Sequence, residues 1–163
     1  MIVRLSKIVL CAALAAFAGL VCTDNLVDYG ANYEFVRHVM SMDTTFRDPA
    51  LMGRAITEPL LWRIFYAAII AAEGATGIFL AVGANAMVRA RRLPAGEFQN
   101  AKRWAVAGFT LGFLVWFFGF MVVGGEWFAM WQSPHWNGQE GAFRFYMPML
   151  VALVFVAQRD EDA

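Results

Sequence analysis

The side chains able to do chemistry are few and fall into three groups. Glu73 stands alone inside an uncharged apolar stretch, between Ile69-Ile70-Ala71-Ala72 and Gly74-Ala75-Thr76-Gly77. An ionisable group there is costly enough to suggest a proton or cation site, or a contact to a polar ligand. The structural alternative is a protonated carboxyl, hydrogen-bonded across the bundle to Thr110, Thr76 or a free backbone carbonyl. A single carboxyl with no second polar residue at matched depth makes a poor relay, so the structural role is the expected one. The second group is the histidine pair, His38 and His135, with Met40, Met42 and Met130 as soft neighbours. Two histidines could in principle hold a haem, and His38 with the methionines a copper(I) ion. Haem-binding bundles carry their axial histidines inside helices, whereas His135 follows Pro134, so no cofactor and no metal is expected. The third group is aromatic: Trp127, Phe128, Trp131 and Trp136 interleave with Glu126, Gln132, His135, Asn137, Gln139 and Glu140. Tryptophans so placed form an interfacial belt. Their polar neighbours make a rim suited to a partner protein or a quinone-like headgroup.

The elements that position these groups lie in a membrane. Of the 163 residues 60% are apolar and only 16% charged, outside the range of an ordinary soluble domain. Net charge is zero and no basic face is present, so nucleic acid is not an expected partner. Four crossings are read over about 3–22, 60–88, 104–124 and 143–157, each measured against the roughly 20 residues that span a bilayer core. The last is short and contains Pro148, which neighbouring helices can accommodate; residues 139–142 are expected to help start it. Gly74, Gly77, Gly83, Gly108 and Gly112 offer small surfaces for close helix packing within the bundle. The start of the chain also resembles a secretory signal, with Arg4 and Lys7 ahead of an apolar run and Ala16-Phe17-Ala18 before Gly19. That run continues through Leu20, Val21 and Cys22, and a retained crossing is expected. Cys11 and Cys22 share this helix, cannot bridge each other, and read as small apolar residues.

Residues 23–59 form a polar connection of 37 residues, long enough to be functional or separately folded. Within it Asn32 is a candidate cap for a short amphipathic helix with Tyr33, Val36 and Met40 on one face and Phe35, Val39 and Met42 beside it. Orientation follows from basic residues. One side holds Arg4, Lys7, Arg89, Arg91, Arg92, Lys102, Arg103 and Arg159, the other Arg37, Arg47, Arg54, Arg63 and Arg144. The five in the short 89–103 loop decide the matter, and place both termini in the cytoplasm. Loops 23–59 and 125–142 then face outward together, and the whole of 1–163 is one membrane domain: an all-α four-helix bundle with a long outward first loop.

The stretches Asn32-Tyr33-Glu34-Phe35-Val36-Arg37-His38-Val39-Met40-Ser41-Met42-Asp43-Thr44-Thr45-Phe46 and Gly124-Gly125-Glu126-Trp127-Phe128-Ala129-Met130-Trp131-Gln132-Ser133, followed by Trp136-Asn137-Gly138-Gln139, resemble a bacterial family of predicted small integral membrane proteins of unknown function. The resemblance covers nearly the whole chain and implies a four-helix inner-membrane protein, with no catalytic residues to carry over. No phosphate loop, nucleophile elbow or dinucleotide fingerprint is present, so an enzyme is not indicated. The expected role is an accessory or scaffold subunit that binds a larger membrane complex, or a second copy, through an outward surface of Arg37, His38, Asp43, Glu126, Trp127, Trp131, His135, Trp136, Asn137 and Gln139. The alternative is a small transporter or a binding protein for a lipid- or quinone-like ligand, centred on Glu73 and lined by Trp104, Thr110 and Trp116. The two outward motifs are expected to touch.

Overall fold

The computed structural model describes residues 1–162. In chain order the helices are α1 (Ile2–Val27), α2 (Tyr29–Ser41), α3 (Pro49–Met52), α4 (Pro59–Ala90), α5 (Ala95–Ala101), α6 (Arg103–Phe113) with a π-helical continuation Leu114–Trp127, a 3-10 turn Met130–Gln132, and α7 (Gln139–Ala157). Among the described residues there is no strand. Four runs are long and apolar enough to cross a membrane: Ile2–Val27, Pro59–Ala90, Ala95–Trp127 and Gln139–Ala157. The protein is thus an all-α bundle with four spans.

Several boundaries differ from the sequence reading. The first helix does not stop at Cys22 but continues through Thr23-Asp24-Asn25, because its polar end has partners in the bundle (below). Asn32 does not cap α2. The helix begins at Tyr29, and the Asn32 amide donates to the Asp28 carbonyl one turn back, at 3.3 Å. The third span runs on to Trp127, past Gly124 and Gly125, and α7 begins at Gln139, so the second connection at that end narrows to residues 128–138. Residues 89–103 are not simply a loop, since they contain α5.

In the bundle α1 packs on α4, α4 on α6, and α6 on α7. The α4–α6 contact depends on missing side chains: a Cβ at Gly83 would lie 2.4 Å from the Ala105 backbone nitrogen, and one at Gly108 2.9 Å from that of Leu80. Small residues let backbones approach this closely where no hydrophobic force distinguishes helix from lipid. Two ends of the bundle follow. The terminal end carries both termini and residues 91–102; the distal end carries α2, α3 and residues 128–138.

The terminal end is closed by a buried charge cluster. Arg4, Lys7 and Lys102 are each no more than 2% exposed. Arg4 donates to the carbonyls of Arg91 (3.1 Å), Leu93 (2.7 Å) and Glu161 (2.7 Å), and its guanidinium lies over the Phe98 ring. Lys7 and Lys102 both donate to the Gln158 carbonyl, at 2.8 and 2.7 Å, and both pair with the Asp160 carboxylate. Gln158 follows directly on α7, where helix carbonyls lack internal partners and cations are favoured. Three residues expected to mark topology therefore clasp the C-terminal tail to α1 and to the α5–α6 corner. Burial by itself would raise the Asp160 carboxyl, but the hydrogen bonds and charges of Lys102 and Lys7 outweigh it and hold it below the ordinary carboxylate range.

Two outcomes follow. Gly83→Ala drives a methyl into the α6 backbone and should cost roughly 1–3 kcal/mol, whereas Gly19→Ala, which meets nothing within 4 Å, should be neutral; thermal unfolding of the two variants in detergent checks this. Asp160 with a depressed folded pKa contributes stability that is fully present above the unfolded carboxylate value of about 3.9 and is lost as pH falls through the lower folded value. Asp160→Asn should cost roughly 1.5–3 kcal/mol at neutral pH and should flatten this acid limb of the melting curve.

Candidate functional site

Glu73 is placed by the face of α4 that also carries Tyr66, Ile69 and Ile70, residues spaced so that they stack along one side of the helix. This face meets the last turn of α1. Asn25 donates its side-chain amide to Glu73 Oε2 at 2.6 Å, while the Tyr66 hydroxyl donates to the Asn25 carbonyl at 2.8 Å. That carbonyl is among the last of α1 and would otherwise lack a partner. Glu73 is 2% exposed, and no buried side-chain polar atom among the described residues is without a partner. Since only Oε2 is bonded, Oε1 keeps access to the cavity that Glu73 borders.

This cavity, of about 260 Å³, is bordered by α1, α2, α4, the π-helical stretch and the start of α7. Its polar side is Asn25, Asn32, Tyr66 and Glu73; its walls include Val21, Phe35, Ile69, Trp116, Phe120 and Phe145. A second cavity of about 270 Å³ adjoins it, with Phe35, Val36, Ile69 and Phe120 bordering both. It continues beneath α2 past Val39, Met40, Phe128 and Met130 and has no charged lining residue. The roof over both is one face of α2: Asn32, Phe35, Val36, Val39 and Met40 repeat at helical spacing. One wall is π-helical, a winding that is frequent at functional sites.

The roof is pinned by the two distal-end motifs, which meet as expected. The His38 ring stacks on Trp136 at 4.5 Å between centroids and 13° between planes. His38 Nδ1 lies 2.8 Å from Asp43 Oδ2, and Arg37 Nη2 lies 2.8 Å from His38 Nε2. This pattern assigns a neutral ring that donates from Nδ1 and accepts at Nε2. Thr44 and Ser133 share a hydroxyl hydrogen bond at 2.8 Å, the Phe46 amide donates to Gln132, and the Arg54 guanidinium covers the Trp127 ring at 5.0 Å. Met42 and Ala129, both buried, are held at positive φ, 54° and 51°, so left-handed backbone is stored on each side of this joint.

The expected site residues thus separate. Arg37, His38, Asp43 and Trp136 form one cluster, and the Gln139 amide lies against Gly125. Glu126, Trp127, Trp131, His135 and Asn137 are exposed around it. Thr110 is not a partner of Glu73: it lies on the exposed face of α6. Thr76 is not one either, since its hydroxyl donates to the Ala72 carbonyl of its own helix at 2.8 Å. Trp116 lines the cavity, but Trp104 stands at the terminal end beside Phe79 and Arg103. Met40 and Met130 border the apolar cavity, while His38 is engaged with Asp43 and Trp136. Asn25, Asn32 and Tyr66 were missed. Counting depth would have found Asn25: it lies about 27 Å along α1 from Lys7, and Glu73 about 24 Å along the antiparallel α4 from Arg89.

No curated protein and no solved structure matches the chain. Residues 3–159 match the family described as predicted small integral membrane protein (DUF2165). With four apolar spans, and with that match over nearly its whole length, the chain belongs to this family of small integral membrane proteins.

Proposed function

We propose that the protein is a membrane-embedded binding protein for an amphipathic, lipid- or quinone-like small molecule, which seats its polar head against Asn25 and Glu73 and its apolar part beneath α2. One observation carries the reading: a cavity whose polar side includes a half-engaged carboxyl adjoins, across Phe35, Val36, Ile69 and Phe120, a second cavity with apolar walls. Pockets of this kind, mostly apolar with a few convergent polar groups, are the usual form of a small-molecule site. Glu73 Oε1 accepts a hydrogen bond from the ligand head, and Asn25, fixed by Tyr66, orients the carboxyl. No nucleophile–base pair borders either cavity, so the reading is of binding rather than turnover.

The accessory-subunit reading takes second place. It draws on the exposed Phe46, Trp127 and Trp131 at the distal end. Against it, Arg37, His38, Asp43 and Trp136, four of the ten residues expected to dock a partner, are engaged with one another. The same proposal takes the terminal end to be cytoplasmic and the membrane to be a bacterial inner one, on the five basic residues between Arg89 and Arg103.

Gly141 supplies the test. It borders the Glu73 cavity, and a Cβ there meets nothing within 4 Å. Gly141→Leu should occupy ligand space while improving helix propensity, so its melting temperature should be unchanged or higher. Mass spectrometry of the organic extract of purified wild-type protein should show one amphiphile near stoichiometry, reduced at least about tenfold in Gly141→Leu. A wild-type extract containing bulk lipid alone, or an amphiphile retained equally by Gly141→Leu, would sink the proposal. A copurifying protein held equally by both, with no small molecule, would favour the accessory subunit instead.

A further inference from the structure

We infer that a second binding site, for a phospholipid headgroup, lies at the terminal end between α4 and the α5–α6 corner. A cavity of about 450 Å³ there is bordered by Asn85 and Arg89 of α4, Glu97 and Asn100 of α5, and Arg103 and Trp104 of α6. Its charged groups do not satisfy one another. None of the ion pairs among the described residues includes Arg89, Arg103 or Glu97, although all three line one cavity. Four other cations at this end are engaged: Arg4, Lys7 and Lys102 in the clasp, and Arg91 on the Val88 carbonyl at 2.7 Å. Arg89 and Arg103 thus face a shared space from two elements, and the Arg103 guanidinium is steadied over the Trp104 ring at 5.8 Å.

Two guanidiniums that border one cavity from different helices suit a phosphodiester, whose oxygens accept from both. Glu97 narrows the class. It repels a bare phosphate dianion and accepts a hydrogen bond from a headgroup hydroxyl or ammonium, as in phosphatidylglycerol or phosphatidylethanolamine. The cavity is not closed on the membrane side. Val82 lines it and is 43% exposed, with Ile78 63% exposed one turn further along α4. An acyl chain leaving the headgroup therefore runs directly along apolar helix surface, a route of no use to a soluble phosphate. Basic pockets between helices at the membrane edge are suited to lipid headgroups.

The test is a native mass-spectrometric titration of purified protein with phosphatidylglycerol, phosphatidylethanolamine and phosphatidylcholine of identical chains, with and without millimolar inorganic phosphate. The first two lipids should bind about tenfold more tightly than phosphatidylcholine, which has no donor for Glu97. The double variant Arg89→Gln, Arg103→Gln should weaken phosphatidylglycerol binding at least about tenfold, with an unchanged melting temperature because both side chains are exposed. Arg63→Gln, outside the cavity, should leave binding intact. Wild-type affinity in the double variant, or equal binding of all three lipids, would overturn the site. Displacement of phosphatidylglycerol by inorganic phosphate would overturn the lipid assignment in favour of a soluble phosphate.

Discussion

A polar group inside hydrocarbon has to find its partner within the protein, and this requirement organises the bundle at both ends. In the clasp at the terminal end it is met completely. Three cations converge on carbonyls left free at helix ends and on Asp160, binding the first helix, the third span and the tail into one unit. Nearer the distal end it is met only in part. Asn25 satisfies one Glu73 oxygen, and Tyr66 fixes Asn25, but the other oxygen faces open space. On the proposed reading, a buried carboxyl left half-engaged beside a cavity marks a binding seat rather than a structural crosslink.

The shape of the cavities has its own causes. The α1–α4 pair and the α4–α6 pair are packed through glycines, which brings their backbones into close contact. Further up, the third span changes to π-helical winding, and α2 folds across the gap between α4 and that stretch. The amphipathic face of α2 becomes a ceiling instead of lying on lipid. The joint of the two distal motifs holds it there through the His38–Trp136 stack and the Thr44–Ser133 hydrogen bond. Part of the expected docking surface, His38 and Trp136, thus lies in the fastening of the roof.

Much of this was legible because apolar runs and basic loops obey membrane constraints directly. The four spans, the amphipathic character of residues 32–46 and the meeting of the outward motifs follow from those patterns. Glu73 was legible as an anomaly, but its partner was not. Thr110 was chosen as a polar residue on a neighbouring span, yet composition does not reveal which way a helix face turns, and Thr110 faces outward. Asn25 reads as part of the polar connection after the first crossing; a helix leaving hydrocarbon continues when its polar side chains meet acceptors. The π-helical stretch defeats periodicity altogether. Its hydrogen bonds skip one residue more than an α-helix, so the 3.6-residue rule misassigns the faces from Trp116 to Trp127. The clasp was hidden for a different reason, since basic residues near span ends ordinarily read as solvated topology markers.

The central claim is that the space between Glu73 and Met130 holds a small amphipathic molecule. Phe35 borders both cavities from the roof, so a photo-reactive p-benzoylphenylalanine at position 35, activated in intact membranes, probes that space directly. The account predicts a covalent adduct of one small molecule on the protein, abolished when Gly141→Leu is introduced in the same chain. Crosslinks confined to the protein's own side chains, with no small-molecule adduct, would contradict it.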